Sequence, residues 1–177
     1  QGNNKKCLVL DCDNVLWGGI LGEDGAEGIK IGKDFPGSEY SALQYEILKL
    51  YNRGIILTLC SKNNEGDVLE LLDSNSNMII KEKHLAAYKI NWREKDKNII
   101  ELSNELNIGL DSMVFMDDSK FEIELIKKSL PMVQTIDLSN VNPIKFATIL
   151  KEYRGFDSFS FSSEDKKRSN MYKEQAK

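Results

Sequence analysis

The chain of 177 residues has a single histidine, His84, and only three cysteines, Cys7, Cys12 and Cys60. One histidine cannot build a multi-histidine metal centre, and it leaves a Ser-His-Asp triad with one possible base. The cysteines lie in apolar, strand-like runs without the paired spacing of zinc or redox motifs, so they read as reduced and mostly structural. No run approaches the ~20 apolar residues that a membrane helix needs, and the polar start QGNNKK is unlike a signal peptide. The expectation is a cytoplasmic protein. Gln1-Gly2, in place of an initiator Met, reads as a protease scar and is set aside. Basic residues are not in excess: 24 Lys+Arg against 28 Asp+Glu give a formal net charge of −4. That balance argues against nucleic acid or an anionic membrane as the main partner. Carboxylates and lysines are what remain for chemistry.

Short apolar runs alternate with longer stretches of helical period. CLVLDC (7–12), GIILTLC (54–60), MII (78–80), MVFMD (113–117) and MVQTID (132–137) read as strands. The spacing of Tyr40, Leu43, Ile47, Leu50 and Tyr51 predicts a helix over 38–52 with Gly54 as its stop, and further helices are expected near 64–73, 95–107, 119–130 and 142–151. Alternation of this kind implies right-handed crossovers and a three-layer α/β domain, with a doubly wound, Rossmann-like parallel sheet. The glycine-rich stretch WGGILGEDGAEGIKIG (17–32) departs from the pattern. Its glycines speak against a helix, and Ile20, Leu21, Ile29 and Ile31 suggest a small hairpin flap over the mouth of the sheet. Residues 3–156 are expected to form the catalytic domain. Residues 157–177 turn polar, with Ser162 and Asp165 spaced as a capping box, and read as a connector helix leading to a further domain.

Ligands of open parallel sheets bind beyond the carboxyl ends of the strands. Three strands end there in polar groups: Asp11 and Asp13 after the first, Ser61, Lys62, Asn63 and Asn64 after the second, Asp117, Asp118 and Ser119 after the fourth. Asp11, Asp13, Asp117 and Asp118 in one cleft would repel one another unless a cation sat among them. Oxygen-only ligands without histidine or cysteine suit Mg²⁺. Such a site beside a free carboxylate is the outline of phosphoryl transfer, with Ser61, Lys62, Asn63 and Lys95 as candidate phosphate or substrate contacts. Each motif has a plainer reading too: Asp-x-Asp as a turn, Asp118 or Ser119 as a helix cap, Lys95 on a solvated helix face. Trp17 either lines the substrate side of the cleft or pins the flap.

Taken in order, Asp11-Cys12-Asp13-Asn14-Val15, Ser61, Lys95 and Asp117-Asp118 resemble the four motifs of the haloacid dehalogenase (HAD) superfamily. LWGGILGEDG (16–25), CSKNN (60–64) and INWREKDKN (90–98) resemble its FkbH-like branch. The resemblance implies Asp11 as a nucleophile forming an aspartyl-phosphate, and Asp13 as general acid/base and main-chain ligand of Mg²⁺. It implies Ser61 on the phosphoryl group, Lys95 holding nucleophile and phosphate, Asp117 as direct metal carboxylate and Asp118 near the metal. Val15 stands where threonine is commoner. Neither gap, Asp13 to Ser61 or Ser61 to Lys95, has room for a large cap domain, so the cleft is expected to be open. The reaction implied is a Mg²⁺-dependent phosphatase or phosphotransferase acting on a small phosphorylated metabolite. The FkbH-like branch adds an alternative: glyceryl transfer from 1,3-bisphosphoglycerate to a carrier-protein thiol, with Cys12 as a possible acyl carrier and an acyltransferase-like domain tethered in the full-length protein. A docking module for a phosphorylated ligand is the non-enzymatic alternative.

Overall fold

The computed structural model describes residues 4–157. The expected tail helix, with Ser162 and Asp165, lies outside the described residues.

Strand β1 (Cys7–Leu10) is the middle of a five-stranded parallel sheet, with β2 (Ile56–Ser61), β3 (Leu85–Ile90), β4 (Met113–Asp117) and β5 (Gln134–Asp137) in the order β3-β2-β1-β4-β5. β1 is fully buried, as a central parallel strand covered on both faces must be. Side-chain alternation divides the core in two. Leu8 and Leu10, with Leu57, Leu59, Val114 and Met116, meet α2 (Gly37–Asn52), α3 (Glu65–Ser74) and α6 (Phe146–Glu152) through Leu43, Ile47, Leu72 and Phe146. Cys7 and Val9, with Cys60 and Phe115, meet α4 (Lys95–Leu106) and α5 (Lys120–Ser129) through Ile99, Leu102, Ile123 and Ile126. All three cysteines are free and buried. Among the described residues no helix is long and apolar enough to cross a membrane.

Two expectations are corrected. Met78–Ile80 is not a strand; Met78 N turns back to Asn75 O (3.1 Å), and the N–H groups of Ile79 and Ile80 go to a side chain instead of a ladder. Gln44, fully buried in α2, accepts from Ile79 N (3.0 Å) and Ile80 N (2.8 Å) through Oε1 and donates to Leu16 O (2.6 Å) through Nε2. The third strand is Leu85–Ile90, where small Ala86 and Ala87 fill the core side. The flap is also not a simple hairpin. Gly18 and Lys30 do exchange both backbone hydrogen bonds, each 2.8 Å, but a short helix α1 (Leu21–Gly28) lies between them. Its first turn closes because Ile20 O accepts from Glu23 N and Asp24 N while the Asp24 carboxylate accepts from Ile20 N. Gly25, at φ 74°, kinks the helix without ending it. The last helix is shorter than expected and begins after a 3₁₀ turn, Pro143–Lys145, capped by the Asn142 side chain.

At the start of α2 a β-carbon on Gly37 would lie 2.9 Å from the backbone C and N of Ile31, atoms that cannot swing aside. Gly66, in the first turn of α3, has nothing within 4 Å of that position. Gly37→Ala is therefore expected to destabilise the fold by about 1–3 kcal/mol, as overpacking does. Gly66→Ala should be neutral or stabilising by up to about 1 kcal/mol. Urea unfolding of the two variants checks this; equal midpoints would show that the flap end yields to α2.

Candidate active site

The chain passes from β1 to β2 and β3 on one side, then returns to β4 and β5 on the other, so the sheet reverses between β1 and β4. Leu10 pairs with Met116 in register, which brings the next residues, Asp11 and Asp117, side by side at the carboxyl edge. The same register against β2 sets Leu10 beside Leu59 and brings Ser61 to that edge. Beyond Asp11 the chain turns at once: Cys12 O accepts from Val15 N (3.1 Å) and Leu16 N (2.9 Å). The turn needs a left-handed residue, Asn14 at φ 58°, a conformation that asparagine tolerates well.

Side-chain oxygens of Asp11, Asp117 and Asp118 lie within 4.8 Å of one another. Lys95, the first residue of α4, donates to Asp11 Oδ1 (3.0 Å) and Asp117 Oδ2 (2.7 Å). It is only 3% exposed. Burial alone would favour a neutral Lys95 amine, but the charges of Asp11 and Asp117 outweigh it and hold the ammonium form above its ordinary range. Asp117 is fully buried and its Oδ1 accepts from Ser119 N (2.9 Å). One cation does not balance three carboxylates. Burial first, and then the charge of Asp11, push Asp117 up to about 7 and Asp118 up to about 8. Asp118, outside the reach of Lys95's two hydrogen bonds and hydrogen-bonded to Asp11, is the more strongly raised of the two.

Asp13 points its carboxylate elsewhere than this cluster. Its Oδ1 accepts from Trp17 Nε1 (3.1 Å) and Leu21 N (2.9 Å), and its Oδ2 from Asn63 Nδ2 (3.0 Å). Burial raises its pKa, against the lowering effect of those donors. The Asn63 amide also donates to Ser61 Oγ (3.2 Å). Asp13, Asn63 and Ser61 thus form a hydrogen-bonded set of their own beside the cluster of Asp11, Lys95, Asp117 and Asp118.

Three candidates fall elsewhere. Trp17 is fully buried, its ring in the main apolar cluster, so it cannot touch a substrate; a large ring in a closed core leaves only its N–H to act. Lys62 turns from the acidic cluster toward Glu122, 3.6 Å away. Cys12 is buried in the same apolar cluster as Trp17, and burial, then the charge of Asp11, drive its thiol well above its ordinary value. That is the opposite of what a nucleophilic thiolate needs. His84 lies away from the site and caps a 3₁₀ turn by accepting from Lys81 N (2.9 Å). The hydrogen bonds of Trp17 and of the α1 backbone to Asp13 had no signal in the sequence beyond the glycine-rich context.

No protein-family model matches the chain, and no curated protein matches it. Among solved structures it is similar to the N-terminal part of a Bacteroides fragilis protein containing a phosphatase domain, complexed with Mg, at 39% identity and a TM-score of 0.82. The match covers 92% of this chain and 42% of that one, so the chain spans less than half the length of this relative. It is also similar to the cobalt-bound deoxy-D-mannose-octulosonate 8-phosphate phosphatase of Haemophilus influenzae, at 14% identity and a TM-score of 0.54, covering 97% and 98% of the two chains; at that identity the likeness is of fold. By sheet order, by the placement of its acidic cluster and by these likenesses, the chain has the haloacid dehalogenase fold, and its structural neighbours are phosphatases.

Proposed function

We propose that the chain is a Mg²⁺-dependent phosphatase that works through an aspartyl-phosphate on Asp11 and takes a small phosphorylated metabolite. The observation that carries this is the Lys95 ammonium shared by Asp11 and Asp117 at the sheet's reversal point, with Asp118 alongside. The donor set fits a hard divalent cation. It is all oxygen, it holds more negative charge than Lys95 neutralises, and burial with that surplus charge raises the Asp118 carboxyl. Asp11, Asp117 and Asp118 would hold Mg²⁺ through their side chains and Asp13 through its main-chain carbonyl. When bound, the ion neutralises charge on the transferring phosphoryl group.

In the first half-reaction an Asp11 carboxylate oxygen attacks phosphorus and the bond from phosphorus to the leaving oxygen breaks. Asp13 gives that oxygen its proton. Lys95 stabilises charge on Asp11 and the phosphoryl group throughout, and Ser61 donates to a phosphoryl oxygen. In the second half-reaction Asp13 takes a proton from the attacking water, whose oxygen bonds to phosphorus as Asp11 departs. Inorganic phosphate and the starting carboxylates result.

The FkbH-like alternative adds acyl transfer through a thiol. The burial of Cys12 among apolar side chains speaks against it as the carrier, so we adopt phosphate release as the end reaction. A docking module would not need a nucleophile, an acid and a buried lysine arranged together. The greater length of the Bacteroides relative supports the idea that a domain of this kind works beside others.

Asp11→Asn is expected to abolish both phosphate release and the acid-stable mass increment of one phosphoryl group, with an unchanged circular dichroism spectrum; turnover in this variant would remove Asp11 as nucleophile. Asp117→Ala should shift the Mg²⁺ dependence of any activity to higher concentration, and an unmoved Mg²⁺ titration would count against its role as ligand.

The raised carboxyls make stability depend on pH. In the unfolded chain they titrate near the ordinary aspartate value of about 3.9. The folded chain therefore binds more protons than the unfolded one from there up to about 7 for Asp117 and about 8 for Asp118. Their stabilising contribution is complete below that window and is lost as pH rises through it. In the presence of a chelator, Tm should fall between about pH 5 and pH 8. Asp118→Asn should flatten the fall, and Mg²⁺ should raise Tm most at the upper end. A Tm that climbs with pH across this range would show that the three carboxylates are already balanced.

A further inference from the structure

Asp13, half-buried in the turn after β1, is held from three sides. A carboxylate offers about four lone-pair positions. Trp17 Nε1 and Leu21 N fill both on Oδ1, at 3.1 Å and 2.9 Å. Asn63 Nδ2 fills one on Oδ2, at 3.0 Å. A single position stays open, on the oxygen nearer Asn63. Asn63 spends its second amide proton on Ser61 Oγ (3.2 Å), so Ser61 is held as an acceptor there, and on the phosphatase reading its own O–H would turn toward a phosphoryl oxygen.

None of the three donors is loose. Trp17 is fully buried and Asn63 is 4% exposed. Leu21 begins α1, whose first backbone N–H groups have no partner within the helix. The two residues bracketing the turn, Asp13 and Trp17, form a backbone bridge of their own. Gly19 N is tied to Asn14 Oδ1 (2.7 Å), which fastens the flap to the same turn.

We propose that Trp17 and Asn63 are positioning residues for Asp13: with the first turn of α1 they clamp its carboxyl group so that the one open Oδ2 position, which carries the transferable proton, faces the leaving oxygen. The proposal rests on the phosphatase reading, in which Asp13 is the acid. Neither side chain need touch the substrate. Trp17 acts only through its N–H, and Asn63 couples the acid to the phosphate-binding serine.

A misaligned general acid harms departure of a poor leaving group and hardly matters to a good one. The test is therefore kcat/KM of wild type, Trp17→Phe and Asn63→Ala on two probes with Mg²⁺ present: p-nitrophenyl phosphate, whose leaving group needs little protonation, and glycerol 3-phosphate, whose alkoxide needs it fully. General acid catalysis is worth about 10²–10⁴ in rate, so weakening one clamp is expected to cost roughly tenfold or more on the alkyl phosphate and less than about threefold on the aryl one. Trp17→Phe keeps most of the ring's volume; a second variant, Leu21→Pro, removes one N–H at a first helical position, where proline is accepted. The indole ¹H–¹⁵N signal of Trp17, assigned with Trp92→Phe, gives a readout that needs no activity. It should exchange slowly with solvent in the wild type and faster in Asp13→Ala.

Equal losses on both probes, or an indole signal indifferent to Asp13→Ala, would overturn the clamp while leaving the phosphatase reading intact. A wild type inert toward both probes, with the indole behaving as expected, would overturn the phosphatase reading and the catalytic use of the clamp together.

Discussion

The structure depends on one buried ammonium. Lys95 occupies the first position of α4, where the helix dipole presents its positive end and where a cation is disfavoured by about 0.3–1 kcal/mol. It is also almost without contact with water, 3% exposed. Neither local nor burial energetics would choose lysine there. What holds it is the pair of carboxylates, Asp11 and Asp117, which only the adjacency of β1 and β4 can supply. Removing either partner of such a pair costs about 3–5 kcal/mol because the other charge is left buried. A sequence that accepts this arrangement is set for chemistry and not for stability, and the surplus carboxylate, Asp118, makes the same point. Three carboxylates and one ammonium in a small volume leave the site two positive charges short.

The sheet positions the acidic cluster, and the flap, with Asn63, positions Asp13. Asp11 and Asp117 extend directly from strands, so their backbones are fixed by ladder hydrogen bonds such as Asp11 N to Met116 O, at 3.1 Å. Asp13 lies beyond the strand, in a turn that no ladder stabilises. It is held by side-chain and helix-end donors. On the proposed reading the division has a geometric cause: an acid serving the far side of a phosphoryl group would not sit in the same plane as the nucleophile, so the chain leaves the sheet and finds other partners within a few residues.

This division also explains what could be read from the sequence. Strands β1, β2, β4 and β5, helices α2 to α5 and the acidic strand ends were legible because period and polarity change abruptly at Asp11, Ser61 and Asp117. β3 was not, because Leu85–Ile90 has two alanines and two partly exposed positions, Tyr88 and Lys89, and is less apolar than Met78–Ile80 nearby. What decides between them is a buried glutamine from α2, a tertiary contact invisible to local pattern. The helix in the flap was hidden for a similar reason: glycine content suggested a turn, while the first turn of α1 is closed by Asp24 and by the Asp13 carboxylate. Lys95 was found from the motif that it resembles, yet its surroundings, REKDK, gave the plain reading of a solvated helix face. Trp17 was noticed for its ring, and the structure uses its N–H.

The absence of a large cap among the described residues shifts the question of water. Asp117 is fully buried, Asp11 is 7% exposed and Ser61 1%, so the sheet edge itself already shields the groups that meet the phosphoryl oxygens. Shielding is needed most where charge develops, because Coulomb interactions weaken as the local dielectric rises. On the proposed reading the leaving group would lie further out, past Asp13, toward the rim where Trp92 stands 67% exposed with its N–H on Asn64 Oδ1. A phosphate can therefore be gripped tightly by a fixed inner site while the remainder of the substrate stays in contact with solvent or with a neighbouring surface. In such an arrangement the inner site sets the reaction and the outer rim sets the substrate. The direction of the Asp13 proton is the point at which the two meet.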